Sequence, residues 1–362
     1  MPKNAYQLPE FRWENDRPLI EMCAITKVFK SAAGEAVVLK GVDVEIDQGE
    51  FVSVVGRSGS GKSTLVNMLT GIDHPSNGTV RIGDTYIHKL SESDMSVWRG
   101  RHLGIVFQFF QLLPMLTLLE NVMLPMDFGE MYPPAEREGR ALRLLERVGL
   151  ANFTHQLPGA VSGGQQQSAA LARALANDPP LILADEPTGN LDSRTAEQVM
   201  QLFAELVNQG KTIVMVTHDR DLAKRSARTL VIADGEIVHA ALVTAFPDLP
   251  HNRLLELTHL AQLETYTPGE VVAVASRNGR SFLIPSKGTL ELFPKESSHG
   301  TSHAPQSISS GEFADLYRLE QERGEPLAVR AGGGEPLEVL VYDRAKIIPI
   351  MQPHLNIIEG LG

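Results

Sequence analysis

The sequence lacks several features that are typical of other classes of protein. Its 362 residues include a single cysteine, Cys23, which excludes a disulfide framework within the chain and is typical of a reducing compartment. No apolar run approaches the roughly 18 residues that cross a bilayer, and residues 1–18 lack the pattern of a signal peptide. We therefore expect a chain on the cytoplasmic face of the plasma (inner) membrane, with any membrane-spanning part on a separate chain.

Positive charge is also in deficit. The chain carries 33 Lys and Arg against 44 Asp and Glu, a formal net charge of −11. An acidic chain is poorly suited to wrap nucleic acid, because phosphates are attracted to basic surfaces. We therefore expect no nucleic-acid partner. The length leaves room for two domains.

A glycine-rich segment, residues 56–63, predicts a phosphate-binding loop. It follows the apolar run Phe51–Val55, which predicts a buried parallel strand, and it precedes a predicted helix. Its glycines let backbone amides approach an anion closely. Lys62 would reach the β- and γ-phosphates, and the hydroxyl of Ser63 would hold Mg²⁺. The residues predicted to contact ATP here are Gly56, Ser58, Gly59, Ser60, Gly61, Lys62, Ser63 and Thr64.

Two acidic residues follow another predicted core strand, Leu181–Ala184. An acid at the carboxyl end of a core strand can hold Mg²⁺ with its water, which suits Asp185. Glu186 would lie one residue closer to the γ-phosphate. There its carboxylate would polarise the attacking water as a catalytic base.

His218 and Gln108 also follow predicted strands, Thr212–Val216 and Leu103–Phe107. Either residue alone is better explained as an ordinary polar residue of a loop. Because the carboxyl ends of parallel strands lie at the same edge of a sheet, both are expected near the phosphate loop. We expect His218 to touch the γ-phosphate and Gln108 to bind Mg²⁺ or orient water.

The segment 161–165, Val-Ser-Gly-Gly-Gln, completes the set of motifs. With the phosphate loop, Gln108, Asp185-Glu186 and His218 in this order, residues 20–240 resemble the nucleotide-binding subunit of an ABC transporter. The resemblance implies that two copies of the chain enclose two ATP molecules. Each copy would then offer this motif to the γ-phosphate held by the other. The residues assigned to this contact are Ser162, Gly163, Gly164 and Gln165.

The same resemblance implies roles for two further residues. Asp192 would lie at the dimer interface, and Phe29 stands where members of the family stack an aromatic ring, usually tyrosine, on adenine. Ser168 is a departure, because the family usually has arginine there. This puts the strength of dimer closure in question without removing a phosphate ligand.

Segments 107–114, 119–122 and 184–192 are typical of one group within the family. That group contains the lipoprotein-releasing, macrolide-exporting and cell-division ATPases. It implies a membrane permease with few spans and a large extracytoplasmic domain as partner. The apolar run Phe109–Leu113 is explained either as core or as a surface for permease docking, and the resemblance favours docking.

The C-terminal part alternates short β-like runs with Gly and Pro turns, as a small barrel or sandwich does. Residues 266–272, 287–293 and the pair Gly311-Glu312 make residues 252–355 resemble a cyclic nucleotide-binding domain. The arginine that meets the cyclic phosphate in that family is absent at Pro326-Leu327-Ala328. The barrel is therefore expected to have lost that ligand and to serve regulation, dimerisation or permease contact; the alternative is a small-molecule sensor.

The predicted fold class is α/β: an ABC-type P-loop ATPase with a β-rich lip around adenine and a helical subdomain, followed by a small, mostly β barrel. We expect an N-terminal extension at 1–18, the ATPase at 19–241, a linker at 242–251 and the barrel at 252–362. A loop is predicted between Pro294 and Gly311. The predicted function is ATP hydrolysis that drives transport or mechanotransmission through a permease.

Two other functions remain open from the sequence. The same ATPase fold serves soluble proteins of DNA repair and translation, although those usually carry long coiled coils or two ATPase domains in one chain. A third possibility is a scaffold that uses ATP to time cell-wall or division events through a permease-like partner.

Overall fold

The computed structural model describes residues 17–32, 34–189, 191–272, 280–294, 306–323 and 327–351. The chain divides into two compact units, Met1–Glu236 and Ile237–Gly362. Most of the predicted N-terminal extension, Asn190 and part of the predicted 294–311 loop lie outside the described residues.

The first unit is an α/β layered fold. Its strands are β1 (Ile20–Ser31), β2 (Gly34–Ile46), β3 (Phe51–Val55), β4 (Asn77–Ile82), β5 (Thr85–Tyr86), β6 (Leu103–Val106), β7 (Leu181–Asp185), β8 (Thr212–Val216), β9 (Arg228–Ala233) and β10 (Glu236–Ile237). Its helices are α1 (Lys62–Thr70), α2 (Glu92–His102), α3 (Leu118–Gly129), α4 (Pro134–Arg147), α5 (Gly163–Ala174), α6 (Ser193–Asn208) and α7 (Arg220–Ala223).

The central sheet has the order β10-β9-β3-β8-β7-β6. Strands β9, β3, β8, β7 and β6 are mutually parallel, so their carboxyl ends share one edge. Both faces are covered, which explains why β3 and β8 are mostly apolar and are buried at every residue. Phe203 of α6 packs edge-on against Phe51, with the ring centroids 6.0 Å apart. The prediction of an α/β ATPase fold is confirmed in this unit.

Two smaller substructures flank the central sheet. Strands β2, β1, β4 and β5 form an antiparallel sheet in that order, as the predicted lip requires. Helices α3, α4 and α5 pack on a separate apolar cluster that includes Val122, Leu145 and Ala169. This cluster is the core of the predicted helical subdomain.

The described part of the second unit contains two antiparallel sheets and four helices. Its strands are β11 (Gln262–Tyr266), β12 (Arg280–Lys287), β13 (Thr289–Pro294), β14 (Gln306–Ser309), β15 (Ala314–Asp315), β16 (Leu327–Ala331) and β17 (Leu337–Asp343). Its helices are α8 (Ala240–Ala245), α9 (His251–Leu260), α10 (Leu316–Arg323) and α11 (Arg344–Met351). The sheets have the orders β11-β17-β12-β15 and β14-β13-β16, and their inner faces enclose a cluster that includes Leu290, Val329 and Val339.

Two details of the second unit differ from the sequence prediction. Residues 242–251 were predicted as a linker, but they contain the end of α8 and the start of α9, and Leu242, Phe246 and Leu249 are buried. Residues 306–309, predicted within a loop, form β14, which pairs with β13. Both segments are short and rich in loop-type residues, so the long-range packing that orders them leaves no local signal.

Among the described residues, none of the helices has both the length and the apolar character needed to cross a membrane.

Candidate nucleotide-binding site

The phosphate loop is shaped by glycines that no other residue can replace without strain. It connects β3 to α1, and Gly59 and Gly61 have φ values of 79° and 108°. A Cβ on Gly56 would collide with the carbonyl oxygen of Ile232 on β9. The chain therefore needs glycine here for close packing as well as for backbone freedom. The amino end of α1 faces the loop, which places its free amides and positive dipole end where an anion would bind.

The turn that follows β9, at Asp234-Gly235, is hydrogen-bonded to the phosphate loop. The amide of Gly235 donates to the carbonyl of Ser60 over 3.0 Å, and the amide of Lys40 donates to the carbonyl of Gly235 over 2.9 Å. The Lys40 ammonium pairs with Asp234 at 2.6 Å. Asp234 itself has a φ of 47°. The sequence carries no local signal for these contacts, because they join segments that lie far apart along the chain.

The Lys62 ammonium lies within the loop. It donates to the carbonyls of Gly56 over 2.8 Å and of Arg57 over 3.0 Å. A lysine held in this way places a compact positive charge beside the amides of the loop. The predicted positions of Lys62 and of its loop therefore agree with a site for a triphosphate.

Ser63 and Asp185 are brought together. The Ser63 hydroxyl donates to the Asp185 carboxylate over 3.5 Å, across the gap between α1 and the end of β7. Burial, and then the negative charge of Glu186, raise the pKa of Asp185. A hydroxyl and a carboxylate are oxygen donors of the kind that Mg²⁺ takes, so the pair fits that ion. Gln108 lies two residues beyond β6 and is exposed; its predicted role stays a prediction.

Glu186 and His218 form a direct pair. Nδ1 of His218 lies 2.8 Å from both carboxylate oxygens of Glu186. The Glu186 side chain is 12% exposed, whereas that of His218 is 74% exposed. Glu186 adopts a φ of 48°, and its amide donates to Val216 at the end of β8 over 2.9 Å. Strain in this backbone region is unusual outside glycine and is characteristic of functional sites.

Ser162 is the N-cap of α5, with Gln165 as its reciprocal partner. The Gln165 amide donates to the Ser162 hydroxyl over 3.3 Å, and the Ser162 amide donates to the Gln165 side chain over 2.8 Å. This capping box fixes the amino end of the helix. Gly163 and Gly164 then present their backbone at the first turn, where a negative ligand is favoured.

Asp192 is the N-cap of α6. Its carboxylate accepts hydrogen bonds from the amides of Arg194 and Thr195, each over 3.0 Å. The bonds from Thr195 contribute most to lowering the pKa of Asp192. The predicted interface residue thus has an evident task within its own chain, and its place in an interface stays a prediction.

Phe29 lies on β1 and is 44% exposed. The Lys27 ammonium lies 4.9 Å from the centroid of its ring, and Lys27 also pairs with Asp73 at 2.6 Å. The ring therefore has an open face on the antiparallel lip. An exposed aromatic face of this kind is available for stacking on a base.

The comparisons with known proteins show the family to which the chain belongs. The family model described as "ABC transporter" matches residues 39–189. The lipoprotein-releasing system ATP-binding protein LolD of Bacteroides fragilis is 46% identical over 221 residues, which are 61% of this chain and 100% of that protein. The chain belongs to the ABC transporter ATP-binding proteins.

Two other comparisons show how much of this chain, and how much of each known protein, the similarity covers. The macrolide export ATP-binding/permease protein MacB of Burkholderia lata is 45% identical over 308 residues, or 84% of this chain. The chain spans 43% of the length of that relative. The solved dimeric structure of the ATP-binding cassette MJ0796 with ADP and Pi has a TM-score of 0.58 and 43% identity, and covers 60% of this chain and 96% of that one.

Two supporting residues of this ABC protein were not assigned a role from its sequence. The Arg173 guanidinium, on α5, donates to the carbonyls of Phe110 over 2.9 Å and Gln111 over 2.6 Å. Burial lowers its pKa. The Asn121 side chain is fully buried and donates to three carbonyls of the segment 113–117, over 2.9–3.1 Å. Together these side chains fix the segment that follows Gln108.

Ser168, where the family usually has arginine, is buried on α5. It lines a cavity of about 290 Å³ that also contacts Glu146 of α4 and Glu205 of α6. The shorter side chain therefore leaves space between three helices. The capping box of Ser162 and Gln165 is nevertheless formed, so the amino end of α5 does not depend on an arginine at this position.

Proposed function

We propose that this chain is the ATP-hydrolysing subunit of an ABC system that drives transport or mechanotransmission through a separate membrane permease. The observation that carries the proposal is the pairing of Glu186 with His218 at 2.8 Å. This pair lies at the same sheet edge as the phosphate loop and the Ser63–Asp185 pair. An anion cradle, oxygen ligands for a cation and a candidate base thus share one edge.

The residues divide the work as follows. Lys62 and the amides of the phosphate loop bind the β- and γ-phosphates, and Phe29 stacks on adenine. Ser63, Asp185 and Gln108 hold Mg²⁺, which neutralises charge on the phosphates. Burial and the charge of Glu186 raise the pKa of Asp185, and nearby positive charge would favour its ionised form.

Glu186 supplies the base for hydrolysis. Its carboxylate accepts a proton from the attacking water, and the imidazole of His218 holds that carboxylate in position. A neutral imidazole carries only one ring proton. When that proton is on Nδ1 of His218 and is donated to Glu186, Nε2 of His218 carries none and acts as a hydrogen-bond acceptor. Most of the rate acceleration comes from positioning and charge stabilisation at the γ-phosphate.

The active form is a pair of chains. Ser162, Gly164 and the amino end of α5 are directed to the γ-phosphate bound by the other copy, and Asp192 lies at the interface. The solved structures of MJ0796, which are dimeric, support this arrangement. It requires no further folding, because Ser162 is already fixed by its capping box.

The proposed surface for the permease lies around the segment that follows Gln108. Phe109, Met115 and Phe128 are 74%, 72% and 80% exposed, which is unusual for such large apolar side chains. A cavity of about 600 Å³ beside them is lined by Phe107, Phe128 and other residues. An apolar segment of a membrane protein would cover these groups, and Arg173 would transmit its movement to α5. We therefore propose that the chain attaches to the cytoplasmic face of the membrane.

The second unit serves regulation or contact with a partner, in a barrel of the cyclic nucleotide-binding kind. Its two antiparallel sheets, with α10 between β15 and β16, support this assignment. The Glu312 carboxylate accepts from the amide of Ser309 over 2.7 Å. It therefore caps its own turn.

ATP-dependent pairing tests the proposal in solution. Glu186→Gln should bind ATP, hydrolyse it very slowly and sediment as a dimer only when ATP and Mg²⁺ are present. The matched control adds Gly164→Arg, which should block the interface; within its own chain, a Cβ at this position would meet only Leu191 and Ser162 at ordinary contact distances. A Glu186→Gln chain that binds ATP and stays monomeric would contradict the paired mechanism.

A further inference from the structure

The second unit contains a cavity of about 450 Å³, within the range that holds a small organic molecule. Strand β14, the following turn and α10 form most of its wall, and Ala245 of α8 closes one side. Backbone packing fixes this wall: Gly311 has a φ of 92°, and a Cβ there would lie 2.7 Å from Cγ2 of Thr244 on α8. The cavity is therefore a formed feature of the fold.

One part of the cavity is apolar and aromatic. Phe313 lines it together with Ile308 and Leu319. The Phe313 ring stacks on Phe282, with centroids 5.1 Å apart and planes inclined by 13°, and it lies 5.3 Å from the ring of Phe246. Because these rings support one another, the exposed part of Phe313 offers a fixed aromatic surface to a ligand.

The charged groups of the cavity leave one negative charge unbalanced. The Arg318 guanidinium pairs with Glu322 at 2.7 Å, and Asp315 pairs with Arg344 at 3.0 Å. Glu312 accepts only the backbone hydrogen bond from Ser309 among the contacts recorded for the described residues. A carboxylate and an aromatic surface in one cavity favour a cation, through charge pairing and cation–π attraction.

We infer that this cavity is a binding site for a small organic cation, an amine or quaternary ammonium carried on an apolar body. The cationic group pairs with Glu312, and the apolar body lies against Phe313, Ile308 and Leu319. The same charges disfavour an anionic ligand, since Arg318, the arginine that the described residues contribute to the wall, is already paired with Glu322.

The test uses the full chain and two probes of opposite charge. Phenethylammonium and 3-phenylpropionate have the same aromatic ring and similar length, and each is titrated by calorimetry at low salt. The expected result is saturable binding of the ammonium and none of the carboxylate. Absence of ammonium binding up to 10 mM, roughly the weakest affinity that one charge pair and one ring would give, or tighter binding of the carboxylate, would overturn the proposal.

A matched pair of variants locates the site. Glu312→Gln keeps the shape of the side chain and removes its charge, so we expect binding about tenfold weaker. Glu335→Gln removes an exposed charge that does not line the cavity, and it should leave binding unchanged. Leu319→Trp, which fills the cavity without changing charge, should abolish binding. Ammonium binding unaffected by both Glu312→Gln and Leu319→Trp in folded protein would place the ligand elsewhere and refute the assignment.

Discussion

Nδ1 of His218 lies 2.8 Å from both carboxylate oxygens of Glu186. Strands β7 and β8 are adjacent and parallel. The residues just beyond their carboxyl ends, Glu186 and His218, are therefore neighbours. The His218 imidazole is exposed, and the Glu186 carboxylate that it orients is mostly buried. This relationship determines which residue is expected to activate water and which is expected to position it.

We predict that Glu186→Gln retains ATP binding and loses hydrolysis. The amide has the same shape but cannot accept a proton, and general-base catalysis contributes on the order of 10²-fold or more. Steady-state phosphate release measures turnover, and nucleotide titration measures binding. Glu138→Gln, an exposed position on α4, is the control. Undiminished hydrolysis in Glu186→Gln would refute the role of this residue.

Lys62→Ala should weaken ATP binding about tenfold or more, because it removes charge-assisted hydrogen bonds to the phosphates. The titration should be made with MgATP at fixed ionic strength. Lys224→Ala is a suitable comparison, because Lys224 is exposed and pairs only with Asp221 among its recorded contacts. Equal affinities for ATP in the two variants would count against the phosphate-loop assignment.

Asp185→Asn should stabilise the nucleotide-free protein at neutral pH and weaken MgATP binding. The pKa of Asp185 is raised by burial and by Glu186, so its ionised form opposes folding above that pKa. Below the ordinary pKa of aspartate the carboxyl is neutral in both states, and the advantage of asparagine should vanish. Thermal unfolding of both proteins across acid and neutral pH gives the comparison. A wild-type protein that is the more stable at neutral pH would reverse the predicted sign.

Asn121→Ala should lower the free energy of unfolding by about 2 kcal/mol, because it removes a fully buried side chain and leaves partly buried backbone groups of the segment 113–117 without partners. Chemical denaturation measures the loss. Gln201→Ala is the control, since that amide is exposed and bonds only to Glu197 among its recorded contacts. A change for Asn121→Ala no larger than for the control would show that the segment does not depend on this side chain.

The ATPase unit was largely predictable, because its signals are local. The strand Phe51–Val55, the glycines after it and the helix beginning at Lys62 occupy consecutive residues, and each has its own sequence pattern. Asp185 and Glu186 could be placed because they follow an apolar strand. The caps formed by Ser162 and Asp192 were equally readable, since a cap is defined within three residues.

What could not be predicted depends on contacts between distant segments. Arg173 holds carbonyls more than 60 residues away, and Lys40 pairs with Asp234 across 194 positions. The predicted linker fails for the same reason, since Phe246 is ordered by packing on Phe282 and Phe313. In each of these contacts, the sequence around one residue does not indicate which distant residue it touches.

A substitution at Phe128 tests permease docking separately from ATP binding and hydrolysis. Phe128→Ser removes an exposed ring that lies outside the nucleotide site. We expect it to leave ATP binding intact and to reduce association with a membrane partner. A variant that associates normally would show that this surface is not the contact.

The most direct measurement purifies tagged Glu186→Gln from gently solubilised membranes with ATP and Mg²⁺, and identifies the proteins that accompany it by mass spectrometry. The account predicts a stoichiometric integral membrane protein with a large extracytoplasmic domain, diminished by Phe128→Ser. A dimer that binds ATP with no membrane protein attached would contradict the account and favour an ATPase that acts without a permease.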